Sequence, residues 1–191
     1  ADVVEACKLG SMASVNPIEK LKLMADTFLS VKELPGDVAD LGACRGGTSL
    51  ILRRLAPDKH LHIFDTWAGT PYDDPLCHHK RGEWAASLED CQRLVGNSNL
   101  THYHQGVFLQ NAEDDAVNDI SDCCFVYVDM DTEMATRDAI AFFWPRLVVG
   151  GKMCIDDYGW EPCAGVKVAV DEAFSVGCQH VVGYTCVVEK Q

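Results

Sequence analysis

The sequence predicts an α/β fold built on a doubly wound, mostly parallel sheet. Three observations carry the prediction. Short apolar β runs alternate with stretches of helical apolar spacing. Several of those runs end in an aspartate, which places acids along the edge where such sheets hold ligands. One glycine-rich turn, residues 36–49, leads directly from a strand into a helix. The chain has 191 residues, enough for one domain with a substantial core. Its 48% hydrophobic content argues against disorder.

In chain order, Asn16-Pro17 reads as a helix cap with proline at the first helical position. Ile18, Leu21, Met24 and Phe28 follow at helical spacing up to Val31. Pro35-Gly36 feeds the first strand, formed by Val38, Ala39 and Leu41. A helix is expected over 48–55, and a second strand over 61–65. Residues 66–86 are polar, aromatic and irregular, which marks a lid candidate beside a ligand edge. A helix over 84–95 and strands over 101–106 and 124–129 come next. Residues 133–144 have helical spacing ended by Pro145, and Gly150-Gly151 turns into a fifth strand over 152–155. A helix over 165–176 and two β runs within 179–190 complete the chain. Residues 1–35 are expected to form an N-terminal helical segment or lid, and 36–191 the ligand-binding domain.

The net charge of −13 disfavours nucleic acid as a partner, because phosphate binding needs clustered Lys and Arg. No apolar run reaches membrane-spanning length, and residues 1–5 do not read as a signal peptide, so no membrane partner is expected. Ten cysteines occur without a Cys-x-x-Cys pair. That spread fits a reducing cytoplasm better than a disulfide scaffold or a zinc ribbon.

The glycine turn is neither a dinucleotide fingerprint nor a P-loop, since it runs Asp-x-Gly-x-x-x-Gly-Gly and lacks Gly-Lys-Ser/Thr. Asp40 before the turn suits a ligand with a cationic amine, such as the methionine part of S-adenosyl-L-methionine. Asp65, ending the second strand, suits both hydroxyls of a ribose. Asp129, Asp156 and Asp157 end neighbouring predicted strands. Three oxygen ligands with open positions suit Mg²⁺ or another hard divalent cation. His78 and His79, in the irregular stretch, are candidate general bases.

Four ordered motifs make the chain resemble class I S-adenosyl-L-methionine-dependent methyltransferases, and more closely the macrocin O-methyltransferase (TylF-type) family. They are residues 36–49, Phe64-Asp65-Thr66-Trp67-Ala68-Gly69-Thr70-Pro71, residues 129–136, and Pro145 to Gly151 followed by Asp156-Asp157-Tyr158. The resemblance implies a Rossmann-like, doubly wound seven-stranded sheet, mostly parallel with an antiparallel final strand. It implies donor contacts from Asp40, Gly42, Arg45, Gly46, Gly47, Asp65, Thr66, Gly106, Val107 and Phe108. It implies Mg²⁺ on Asp129, Asp156 and Asp157, with Asp129 also helping to deprotonate a small-molecule hydroxyl of sugar or natural-product type. A homodimer is implied as well. Glu133 and Ala135 depart from the family's tyrosine and serine, so acceptor contacts are expected to differ. A metal-independent methyltransferase and a non-catalytic donor-binding protein are the alternative readings.

Overall fold

The structure is a computed structural model that describes residues 2–108, 117, 120–174 and 180–191. The described helices are α1 (Val3–Ser11), α2 (Ile18–Leu29), α3 (Gly47–Leu55), α4 (Leu88–Val95), α5 (Glu133–Arg146) and α6 (Ala164–Ala173). The strands are β1 (Asp37–Leu41), β2 (Leu61–Asp65), β3 (Thr101–Gln105), β4 (Cys123–Val128), β5 (Leu147–Ile155), β6 (His180–Val182) and β7 (Thr185–Glu189). They form one seven-stranded sheet in the order β3-β2-β1-β4-β5-β7-β6. Pairings from β3 to β5 are parallel, and β7 runs antiparallel to both β5 and β6. This is the expected mostly parallel sheet, with the antiparallel strand last in the chain.

Strand residues alternate between two cores, as the two-residue period requires. Val38, Leu61, Ile63 and Tyr127 face a core shared with α1 to α4. Ala39, Leu41, Phe64 and Val126 face a core shared with α5 and α6. The N-terminal helices belong to the first core, where Leu21, Met24, Ala25 and Phe28 have no exposed surface.

Some boundaries differ from those expected, for identifiable reasons. Pro17 is itself the residue that caps α2, and no side chain caps this helix. The Asn16 side chain is used at the sheet edge instead. The helix expected over 84–95 begins at Leu88, where Ser87 accepts a hydrogen bond from the Asp90 N–H at 3.2 Å. Pro145 lies within the last turn of α5 without ending it. The Arg146 guanidinium bonds the Phe142 carbonyl of that turn at 2.8 Å. Strand β5 starts at Leu147, and Gly150-Gly151 lies inside it where its register against β4 shifts between Cys123 and Phe125. Residues 176 and 179, expected at the end of a helix and the start of a strand, lie outside the described residues.

The cysteine expectation needs one correction. Cys186 is disulfide-bonded, while eight other described cysteines are free. No described helix is long and apolar enough to cross a membrane.

Candidate functional site

The strand ladder runs one residue past the strands' carboxyl ends. Gly106 N–H donates to the Asp65 carbonyl at 3.0 Å, and Gly42 N–H to the Phe64 carbonyl at 2.9 Å. Asp129 N–H donates to the Leu41 carbonyl at 2.9 Å, and Asp156 N–H to the Val128 carbonyl at 2.8 Å. The parallel register therefore brings Gly106, Asp65, Gly42, Asp129 and Asp156 into one row. Above them lies a cavity of about 490 Å³. Gly42, Asp65, Thr66, Gly106, Val107, Phe108, Asp129, Asp157 and His79 line it, all of them expected from the sequence.

Asp65 is held rigidly. Its Oδ2 accepts the Cys44 N–H at 2.7 Å and its Oδ1 accepts the Trp67 N–H at 2.6 Å. Burial pushes its carboxyl above the usual range, against those hydrogen bonds. Each oxygen retains acceptor capacity for a ligand hydroxyl. Thr66 is tied to its own turn through the Gly69 carbonyl at 2.7 Å.

Asp40 does not line the cavity. It is fully buried, and its Oδ2 accepts the Thr48 and Ser49 hydroxyls at the start of α3. Its Oδ1 is buried without a hydrogen-bond partner among the described residues. Burial raises its carboxyl to about 6 despite the hydroxyl donors. It acts as a brace between strand and helix. The loop glycines are also approached closely by the chain's own atoms. A Cβ on Gly42 would lie 1.7 Å from the Asp129 carbonyl oxygen, one on Gly46 would lie 2.7 Å from Cys91 Sγ, and one on Gly47 would lie 2.6 Å from the Gly10 carbonyl. The chain's own atoms require these glycines. Arg45 is exposed and away from the cavity. His78 is also outside the cavity lining, with its Nε2 3.8 Å from a Glu161 oxygen.

The three carboxylates do meet. Ligand atoms of Asp129, Asp156 and Asp157 lie within 4.8 Å of one another. Two residues that the sequence reading missed reach into this cluster. Asn16 Nδ2 donates to Asp129 Oδ2 at 2.9 Å. Lys20 Nζ lies 3.0 Å from Asp156 Oδ2 and 3.1 Å from Asp157 Oδ1. The Thr185 hydroxyl donates to Asp156 Oδ1 at 2.8 Å. Burial, then repulsion from Asp156, Asp131 and Asp157, holds the Asp129 carboxyl well above its usual range. Burial opposes the charge on Lys20, but Asp156 and Asp157 outweigh it and raise the ammonium above its usual value.

Backbone strain gathers here too. Cys44, Asp131, Asp157 and Tyr184 line the cavity with φ of 50°, 62°, 60° and 66°, where L-residues are rarely found.

A match to the family described as Macrocin-O-methyltransferase (TylF) spans residues 9–174. The chain belongs to the macrocin O-methyltransferase (TylF) family. This TylF-family chain is 25% identical over 178 residues to demethyldecarbamoylnovobiocin O-methyltransferase of Streptomyces niveus. That match covers 85% of the chain and 66% of the relative, just under two thirds of the relative's length. The solved structure of the O-methyltransferase NovP superposes with a TM-score of 0.79 at 19% identity, covering 94% of this chain and 82% of that one. The MycE methyltransferase of the mycinamycin pathway, in complex with Mg and SAH, superposes with a TM-score of 0.57 at 17% identity. It covers 86% of this chain and 47% of that one. These superpositions show the TylF-family chain to have the class I methyltransferase fold.

Proposed function

We propose that the protein is an S-adenosyl-L-methionine-dependent O-methyltransferase acting on a hydroxyl of a sugar or natural-product small molecule. One observation carries the reading: a braced ribose-type acceptor, Asp65, lines one cavity together with Asp129 and Asp157 of the three-carboxylate cluster across the sheet edge. The relatives, named as O-methyltransferases, support it.

Asp65 would receive the donor's ribose hydroxyls, with its orientation fixed by the Cys44 and Trp67 N–H groups. Phe108, set edge-on to Phe64 at 5.3 Å between ring centroids, would form the apolar wall for the base. Gly42 and Cys44 lie between Asp65 and Asp129, which suits the sulfonium end of the donor. Asp129, which lines the cavity at the end of β4, is the residue placed to accept the hydroxyl proton. Alignment of hydroxyl and methyl group would supply much of the rate.

Asp129, Asp156 and Asp157 would hold a divalent cation. Their charge, less that of Lys20, leaves the two negative charges such an ion neutralises, and MycE is a relative titled with Mg. When bound, the ion would polarise the acceptor hydroxyl as a Lewis acid. Lys20 would then give up part of its hold on Asp156 and Asp157. The same contact favours a second reading, in which the Lys20 ammonium itself is the resident cation and turnover is metal-independent. Turnover unchanged by EDTA would select it.

The test is calorimetric titration of S-adenosylhomocysteine into the wild type and Asp65→Ala. Losing two charge-assisted hydrogen bonds should weaken binding on the order of 100-fold. Wild type that fails to bind would remove the methyltransferase reading.

A further inference from the structure

In the wall of the cavity, where His79 and Asp131 line it, a second set of side chains is gathered that donor binding does not use. Ligand atoms of His79, Asp131 and Cys163 lie within 4.8 Å of one another. Cys163 Sγ is 3.9 Å from Asp131 Oδ1 and 3.9 Å from Cys77 Sγ. Both thiols are buried, Cys163 fully. We propose that Cys77, His79, Asp131 and Cys163 form a binding site for a thiophilic divalent cation, with zinc the ion their chemistry fits best.

The spacing supports this. Around a tetrahedral zinc with Zn–S of about 2.3 Å, two sulfurs are roughly 3.8 Å apart and a sulfur and an oxygen roughly 3.5 Å apart. The Cys163–Cys77 and Cys163–Asp131 separations, 3.9 Å each, need shifts of only a few tenths of an ångström, while Cys77 must move closer to the His79 and Asp131 side of the set. The backbone holds the two cysteines together, since Cys77 and Cys163 face each other across an antiparallel bridge. His78 N–H donates to the Pro162 carbonyl at 2.8 Å, and Gly165 N–H to the Leu76 carbonyl at 3.3 Å. The histidine is oriented as well. His79 Nδ1 lies 3.1 Å from Glu83 Oε2, which leaves Nε2 as the ligand atom. Histidines that bind metals commonly give their other ring N–H to a carboxylate in this way. Trp84 packs against the same ring at 5.2 Å between centroids. Two cysteines, a histidine and an aspartate form a donor set suited to zinc, whereas Asp129, Asp156 and Asp157 offer oxygen alone.

Binding would convert two thiols to thiolates and release two protons, with no change of oxidation state. The ion would join the irregular 66–86 connection to the start of α6 and to the turn after β4. The site stands whether or not the chain transfers methyl groups, because none of its groups is needed to bind the donor.

Cobalt(II) titration of the full chain, reduced and stripped of metal, tests the proposal. We expect a near-ultraviolet thiolate-to-cobalt charge-transfer band and strong tetrahedral visible absorption, saturating at one equivalent and abolished by zinc. The band should disappear in Cys163→Ser and in Cys77→Ser, and persist in Asp156→Asn, which alters only the carboxylate cluster. Glu83→Gln should weaken cobalt affinity about 10- to 100-fold with the band shape retained, as for other outer partners of a metal-bound histidine. No charge-transfer band in the reduced wild type would overturn the proposal. So would a band that survives both cysteine variants, or a Cys77–Cys163 disulfide in protein isolated without added oxidant.

Discussion

Gly42 and Gly82 share a φ of +86°, yet their surroundings differ completely. A Cβ at Gly82 meets nothing within 4 Å among the described residues, whereas one at Gly42 would overlap the Asp129 carbonyl. Gly82→Ala should therefore cost only the left-handed strain, about 1 kcal/mol. Gly42→Ala adds displacement of the β4 end and should cost about 3 kcal/mol or more. Urea unfolding of the two variants measures the difference. Asp40 gives a pH prediction. Its carboxyl stands at about 6 in the folded chain, against about 3.9 for an ordinary exposed aspartate, so the folded state holds the proton more tightly. Stability contributed by this group is thus fully present below about pH 4 and falls as pH rises through 6, by roughly 3 kcal/mol at most. Asp40→Asn removes the titration. Relative to wild type, the variant should gain stability between pH 4 and pH 7 in thermal melts, and an unchanged difference would refute the buried-charge account.

At the scale of elements, α2 delivers the counter-charge of the site. Lys20 is 15% exposed at its side chain and Asp156 only 1%. Lys20→Met should leave buried carboxylates uncompensated and cost about 3 kcal/mol, roughly 10 °C in Tm. Added Mg²⁺ should raise the Tm of this variant more than that of wild type, because no ammonium competes for the oxygens. Equal shifts would show that Lys20 and the ion do not share a site. This element also shows where sequence reading stops. Asp65, Asp129 and Asp156 were legible because each follows an apolar β run by at most one residue, and the parallel register does the rest. Asn16 and Lys20 were not, because they meet Asp129 and Asp157 across 113 and 137 residues, and a lysine on a helix looks like a solvated face. Cys77 and Cys163, 86 residues apart, show no metal-ligand spacing for the same reason. The glycines were visible as residues, but the protein atoms that approach them, Asp129 at Gly42 and Gly10 at Gly47, are set by packing of distant segments.

At the scale of the whole molecule, the question is whether residues 1–35 move as a lid or fold with the sheet. Asn16 and Lys20 make them part of the cavity wall, as a lid would be. Their apolar face argues for joint folding. Leu21, Met24 and Phe28 are fully buried, and Phe28 packs edge-on against Phe125 of β4 at 5.5 Å between centroids. Burying three such side chains contributes about 6 kcal/mol, comparable with the net stability of an ordinary domain. Detaching α2 would then cost as much as unfolding the rest. Native-state hydrogen exchange should find the protected amides of α2 opening with the same free energy as those of β4, in one cooperative unit. The segment would then shape the acceptor pocket as a fixed wall, and entry to the cavity would fall to the 66–86 connection. An α2 that opens several kcal/mol more easily than β4 would restore it as a lid, carrying Lys20 away from the carboxylates each time it opens.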